Sequence, residues 1–227
     1  MLLIIPSTNN KDEIFDLSAT AKALGWNVFH SGWRPPDHIK NQPGVVYGED
    51  IFCEVIADQM NWKLISNPIE WITTLPEKYV SRKIYCTTAA QARDIKDENL
   101  IISEPKSLED DEIILVSEKV TFTSKYRCFV KNKIVVSSCC YYYKDWNKEP
   151  EFNVNFNYNI NHEAIVKFVN DMLIDPEVNC EDSVIDVGRF KKDTYSVIKS
   201  KPAYTSELFG CEKVAALDTI KSSCRQG

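Results

Sequence analysis

Charged residues set inside apolar strand patterns are where this sequence could do chemistry. An ionised side chain within a sheet is costly unless it is paired or put to use. Asp186 sits in Val184-Ile185-Asp186-Val187-Gly188. Two-residue alternation gives Val184 and Asp186 one face and Ile185 and Val187 the other. Lys199 and Lys201, in Val197-Ile198-Lys199-Ser200-Lys201-Pro202, share a face of the next strand. Lys125 and Arg127 alternate with Tyr126 and Cys128 in the same way. One sheet face can therefore gather Asp186, Lys199, Lys201, Lys125 and Arg127, one carboxylate among four cations. The competing reading is the solvated face of an antiparallel sheet.

Other chemistries have weaker footing. There is no GxxxxGK[ST], GxGxxG, GxSxG or HExxH. The eight cysteines are thinly spread, with no CxxC, and His30, His38 and His162 are scattered, which argues against a zinc site. Reduced, mostly buried thiols in a cytosolic protein are the better reading. Cys139 and Cys140 point to opposite faces of a strand, so they do not form a nucleophile pair. Tyr141-Tyr142-Tyr143 and Trp146 could stack a base, but at strand spacing cross-strand packing is the stronger expectation. Trp33-Arg34-Pro35-Pro36 reads as a rigid surface loop or a lining of a substrate cleft.

The elements that must position these residues follow from hydrophobic periodicity. Leu2 to Ile5, Trp26 to Phe29, Val45 to Tyr47 and Lys63 to Ile65 read as short strands. Helices carrying Ile14, Leu17, Ala21 and Leu24, and then Ile51, Phe52, Val55, Ile56 and Met60, alternate with them. That alternation predicts a parallel α/β layer. The pattern changes near Pro68 to Pro76. A helix over Thr88 to Asp94 is capped by Thr87 or Thr88. Strands follow at Leu100 to Ile102 and Ile113 to Val116. Val120 to Val130 and Ile134 to Tyr143 form an antiparallel pair turning at Lys131-Asn132-Lys133. Asn153 to Asn161 reads as a loop, and His162 to Leu173 as a helix. Ser183 to Val187 and Tyr195 to Ser200 are strands flanking Gly188-Arg189. Glu212 to Ile220 is a helix, and Ser222 to Gly227 a frayed tail.

Composition sets outer limits. The 227 residues are 44% hydrophobic and 26% charged, long enough to fold without a disulfide or metal. Lys and Arg number 27 against 33 Asp and Glu, a net charge of −6 that argues against general affinity for nucleic acid or anionic membrane. Met1 to Ile5 is too short and lacks the basic start of a signal peptide. No apolar run approaches the roughly 20 residues of a membrane span. A cytoplasmic protein is expected.

Three segments, in order, resemble the ATP-grasp superfamily, specifically its small domain proteins in bacteria and phages. The first is Leu75-Pro76, Tyr79-Val80 and Arg82 ahead of an Ala-rich helix. The second is Val116 to Val130 (VSEKVTFTSKYRCFV), similar to the family's adenine-hinge strand and Arg-x-Phe-Val strand. The third is Val184 to Gly188 with Val197 to Gly210 (VIKSKPAYTSELFG), similar to its paired metal-site strands and closing loop. The resemblance implies an N-terminal parallel α/β layer over residues 1–75, then an ATP-grasp-like α+β module over 76–227. The module's central lobe would run to about 115 and its C-terminal lobe from about 116.

It also implies ATP binding between two subdomains, phosphoryl transfer to a carboxylate, and displacement by an amine or thiol. On the resemblance, Asp186 matches a metal ligand and Arg127 a phosphate or substrate arginine. Arg82 matches a basic residue ahead of the central lobe, and Lys106 a phosphate lysine. Arg127 and Lys106 are thus the catalytic candidates. Glu118 and Val120 fall at the adenine hinge. Lys199 and Lys201 fall where the pattern has Glu and Asn, and Lys125 where it has Glu. An ammonium about 4 Å from Mg²⁺ is repelled by roughly 8 kcal/mol at an effective dielectric of 20. The expectation is therefore a ligase relative with an altered magnesium site, in which lysines contact Asp186 or the phosphates directly and ligase activity is reduced or lost. The partners implied are nucleotide with unidentified carboxylate and amine substrates. The alternative is an inactive pseudoenzyme binding nucleotide or a protein partner, in phage–host conflict.

Overall fold

The computed structural model describes residues 1–7, 12–40, 42–102, 109–144, 162–191 and 194–227. The chain opens with strand β1 (Leu2–Pro6), helix α1 (Asp12–Ala23), strands β2 (Asn27–Ser31) and β3 (Gly44–Val46), and helix α2 (Asp50–Met60). β1 lies between β2 and β3, parallel to both. All five β1 residues are buried, so the strand reads as a continuous apolar run, as a strand covered on both faces must. Ile14, Leu17 and Ala21 of α1 and Phe52, Cys53, Ile56 and Met60 of α2 join that core. α2 stops at Asn61, whose left-handed φ of 53° closes the last turn.

Strand β4 (Trp62–Leu64) follows. A 3₁₀ segment, Ile69–Thr74, leads to the short helix α3 (Glu77–Val80). Strand β5 (Ile84–Thr88), helix α4 (Ala89–Arg93) and strands β6 (Leu100–Ile102) and β7 (Ile113–Glu118) make the next unit. β7 is central in an antiparallel sheet of order β5-β7-β6. Thr88 caps α4 in a reciprocal pair with Gln91.

Strands β8 (Ser124–Lys131) and β9 (Ile134–Tyr143) form the expected hairpin. Asn132 and Lys133 both have positive φ, 50° and 60°, the pairing a two-residue type I′ turn requires. Helix α5 (His162–Leu173) and strands β10 (Ser183–Lys191) and β11 (Thr194–Lys201) complete an antiparallel sheet of order β11-β10-β8-β9. Helix α6 (Lys213–Ser222) is capped by the Glu212 carboxylate, which accepts from the Val214 and Ala215 amides, and strand β12 (Cys224–Gln226) follows.

The four-stranded sheet separates two cores. Phe129, Cys139 and Val184 face the first α/β layer and α6. Tyr126, Cys128, Val130, Ile185, Val187 and Val197 face α5 and the Trp71–Tyr79 segment. Cys139 and Cys140 fall in different cores, as alternation requires.

Four expectations are corrected. β4 does not extend the parallel sheet; it pairs antiparallel with β12. The segment expected to fray is therefore ordered, and the Gly227 amide donates to Asn61 O. Gly188-Arg189 is not a break, since β10 runs through both and pairs with β8 and β11 on either side. Val120 to Thr123 lies outside the strand, which starts at Ser124. The loop expected at Asn153 to Asn161 lies outside the described residues, as does Trp146.

α3 is tied to the end of α5 by polar contacts. The Tyr79 hydroxyl donates to Asp175 Oδ2 at 2.9 Å and Lys78 Nζ lies 2.7 Å from the same oxygen. Hydrogen bonding from Lys78, then from the Glu177 amide and Tyr79, lowers the Asp175 pKa to about 2. This depressed value makes the tie favourable above the ordinary carboxylate range, and it is lost as pH falls through about 2. An NMR titration should place the Asp175 midpoint near 2, and Lys78→Ala should move it toward the ordinary 3.8. An unmoved midpoint would remove Lys78 as the cause.

Candidate functional site

The site grows from ladder register. β8 and β10 place Arg127 opposite Asp186 and Lys125 opposite Gly188. β10 and β11 place Asp186 opposite Lys199 and Val184 opposite Lys201. This register needs an irregularity. Val197 pairs with Val187 and Lys199 with Asp186, leaving Ile198 as an extra residue. The bulge lets Val197 enter the α5 core while both lysines stand on the Asp186 face. A second irregularity, between Lys125 and Tyr126, leaves Tyr141 as the extra residue of β9.

The face is not a solvated one at its centre. Asp186 is 0% exposed and Arg127 2%. Arg127 Nε donates to Asp186 Oδ1 and Nη2 to Oδ2, both at 2.9 Å, a bidentate fork. Nη1 donates to Glu207 O at 2.7 Å, with Glu207 Oε2 at 3.6 Å. Burial works against the guanidinium charge, but Asp186 more than offsets it, so the Arg127 pKa moves up.

A strap over residues 202–211 covers this pair. The Arg127 guanidinium carbon lies 4.4 Å from the Phe209 ring centre and 5.4 Å from that of Tyr141. The two rings stack at 4.8 Å and 15°. The first α/β layer anchors the strap. Glu13 Oε1 accepts from the Leu208 and Phe209 amides at 2.8 and 3.0 Å, and the Tyr47 hydroxyl donates to Ser206 O at 3.1 Å. Phe209 itself is left-handed, at φ 51°.

Around the buried pair, the lysines are more open. Lys125 Nζ sits 5.0 Å from the Tyr142 ring centre and 5.9 Å from that of Phe122. Burial, then Lys199, pulls the Lys125 pKa down. Burial, then Arg127 and Lys199, pulls down Lys201. Lys199 is exposed. Phe122 roofs Gly188, where a Cβ would lie 2.1 Å from Phe122 Cδ1, so only glycine fits beneath the ring.

Arg82 is used differently. Its Nη1 donates to Ser196 Oγ and Val197 O, both at 2.6 Å, and Nη2 to Ile198 O at 3.2 Å. Arg82 thus covers the carbonyls of the bulged edge strand. Glu118 is exposed at the end of β7, where its Oε2 accepts from the Lys83 amide at 2.8 Å. Val120 lies half-buried in the link to β8. Arg82 and Glu118 line one cavity of about 520 Å³, away from the Arg127–Asp186 pair. Lys106 lies outside the described residues.

A second cavity, of about 190 Å³, is lined by Lys201, Glu207, Glu13, Tyr47, Glu49 and Asp50. It lies where the chain leaves β3 for α2 and enters α1. β2 and β3 flank β1 on opposite sides, so this is the crevice that open α/β sheets provide where strand order reverses.

Sequence reasoning missed Glu13, Tyr47, Glu207, Phe209 and Phe122. Only the last three lie in the segments that carry the resemblance. Glu13 and Tyr47 act from about 160 to 195 residues away along the chain, and no local pattern marks them.

The Asp186 carboxylate is already engaged on this face. Both Asp186 oxygens accept from Arg127, and the residue across the ladder is a lysine. Among the described residues, no group of three or more His, Cys, Asp or Glu is placed to hold a metal ion. Magnesium demands several oxygen ligands in near-octahedral array, and this face offers ammonium groups instead.

A parallel layer, then a small antiparallel sheet, then a four-stranded antiparallel sheet is the element order of an ATP-grasp arrangement. A sequence model of an ATP-grasp domain, the second family of its clade, matches residues 76–219, and the chain belongs to that family. The fold is similar to macrocyclase MdnC of Microcystis aeruginosa MRC, with 8% identity, TM-score 0.51 and coverage of 96% of this chain and 97% of that one. ATP-grasp ligase PsnB is 10% identical, with TM-score 0.53 and 98% of each chain covered. The RimK domain ATP-grasp protein of Sphaerobacter thermophilus DSM 20745 is 8% identical, with TM-score 0.50 and 98% of each covered. These likenesses establish the fold. A 56-residue segment is also 39% identical to a curated protein of Caldicellulosiruptor saccharolyticus whose name provisionally assigns it endo-1,4-beta-xylanase activity. That match spans 25% of this chain and 17% of that protein. No helix among the described residues is long and apolar enough to cross a membrane.

Proposed function

We propose that this chain binds a nucleoside triphosphate on the Lys125–Asp186–Lys199 face without a magnesium ion, and activates a carboxylate for attack by an amine. The observation that carries this reading is one buried Arg127–Asp186 pair ringed by Lys125, Lys199 and Lys201. The three lysines supply the positive charge that phosphoryl transfer needs around its oxygens. Asp186 and the strap hold Arg127 rigid, and Glu118 and Val120 border the base at the hinge. A carboxylate attacks the γ-phosphorus, ADP leaves, and an amine then displaces phosphate from the acyl group. The crevice bearing Glu13, Glu49, Asp50 and Glu207 favours a cationic amine beside Lys201. MdnC and PsnB are each bound to a precursor peptide in their structures, which supports a peptide as the acceptor class.

A second reading, binding without transfer, draws on the full engagement of Arg127 by Asp186 and Glu207 O. Release of ADP in the presence of candidate amines separates the two.

Calorimetry tests the shared part. ATP should bind equally in EDTA and in magnesium. Lys199→Ala and Lys201→Ala should each weaken it about 10- to 100-fold, the worth of one charged hydrogen bond, with little change in melting temperature. Strict magnesium dependence, or indifference to both substitutions, overturns the reading.

Protonation gives an independent check. Lys125 and Lys201 hold phosphate only when charged, and their pKa values are depressed by burial. Affinity should therefore fall as pH rises through those lowered values, earlier than an ordinary lysine would dictate. A flat profile up to the ordinary lysine range contradicts the assignment.

A further inference from the structure

We propose that Cys139 and Cys211 form an oxidation site that closes into a disulfide and fastens the strap over Arg127. The observation is independent of the nucleotide reading. The two sulfurs lie 2.9 Å apart, within about 1 Å of an S–S bond length. They belong to segments 72 residues apart in sequence, so the approach is set by tertiary packing. All eight cysteines are free thiols.

Both partners touch the machinery around Arg127. Cys139 pairs with Arg127 across the β8–β9 ladder, and its thiol faces Leu208 O at 3.5 Å. Cys211 directs its thiol toward Arg127 O at 3.7 Å, and its amide donates to Leu208 O at 2.8 Å. Cys211 follows the left-handed pair Phe209 and Gly210, with φ 51° and 110°, which ends the strap. One sulfur is thus fixed in the sheet and the other at the strap's exit. A bond between them would hold Phe209 against the guanidinium.

The pair is buried, at 9% exposure for Cys139 and 3% for Cys211. Their mutual hydrogen bond, then burial, raises the Cys211 pKa, and burial shields both thiols from bulky reagents. A small peroxide that enters as the strap opens suits such a site. One thiol gives up its proton, its thiolate attacks the peroxide, the O–O bond breaks, and the departing hydroxide takes that proton, so a sulfenic acid and water form. The second thiol attacks that sulfur, the S–S bond forms, and a second water leaves. Two thiols and one hydrogen peroxide thereby give one disulfide and two waters.

The test is to expose the folded protein to hydrogen peroxide, quench, denature, alkylate the remaining thiols, and map peptides by mass. The expected product lacks two hydrogens, joins Cys139 to Cys211, and reverts with dithiothreitol. Cys211→Ser should abolish it. If that variant fails to fold, Cys139→Ala removes the bond from the sheet side. Proteolytic cleavage within residues 203–211 should slow at least about tenfold in the oxidised protein and recover on reduction. The proposal is overturned if both residues are alkylated after peroxide, if either pairs with another cysteine, or if strap cleavage is unchanged by the bond.

Discussion

Arg127→Met should lower the melting temperature by roughly 6 to 20 °C, because it leaves the Asp186 carboxylate buried without its partner. Breaking a buried ion pair from one side costs about 3–5 kcal/mol, and for a chain of this size each kcal/mol moves the transition by about 2–4 °C. The cost falls on the carboxylate that remains, since both its oxygens accept from Arg127. Asp186 is also completely buried. Adding Asp186→Leu to Arg127→Met should therefore recover most of the loss. Nucleotide affinity should not return with the stability. A single variant as stable as the parent, or a double variant less stable than the single one, would show that the charge pair is not isolated from water as described.

Gly188→Ala should be nearly as disruptive, through shape instead of charge. The added Cβ would fall 2.1 Å from Phe122 Cδ1 and 2.5 Å from Cε1. Phe122 is itself buried, edge-on to Phe190 at 6.2 Å, and both Arg82 and Lys125 lie 5.9 Å from its ring centre. The ring cannot yield without moving Phe190 and two cations. Overpacking of this kind costs about 1–3 kcal/mol, sometimes more. Denaturant unfolding should show the loss. Phe122→Ala in the same chain should make Gly188→Ala far less costly than it is alone, a coupling expected only of residues in contact. Additive effects would mean that Phe122 does not roof Gly188.

Much of this architecture is legible in the sequence because the relevant signals are local. The apolar β1 run, the spacing of Ile14, Leu17 and Ala21, the Asn132-Lys133 turn and the alternation around Asp186 each depend on residues a few positions apart. The family's motif order then points to Arg127, Asp186, Lys199 and Lys201. What was not legible is non-local. Gly188 looks like a break until Phe122 is seen above it. The residues from Ser222 onward look like a tail because β12 finds its partner at β4, about 160 residues earlier. Arg82 reads from its motif only as a basic residue ahead of the central lobe, because no pattern reveals that the carbonyls of Val197 and Ile198 sit within its reach. The burial of Arg127 depends on the strap, and Glu13 and Tyr47 anchor the strap from the far end of the chain.

Ile198 gives β11 something like a parity bit. With it, Val197 and the two lysines look out on different sides of the sheet; delete that single codon and one half of the strand must invert relative to the other. Descendants of this gene can exchange side chains at 199 and 201 without disturbing the strand's register, but a change in length between 197 and 199 would swap core for cleft in one step. Substitution is thus the smooth evolutionary route at this edge, and insertion or deletion an abrupt one.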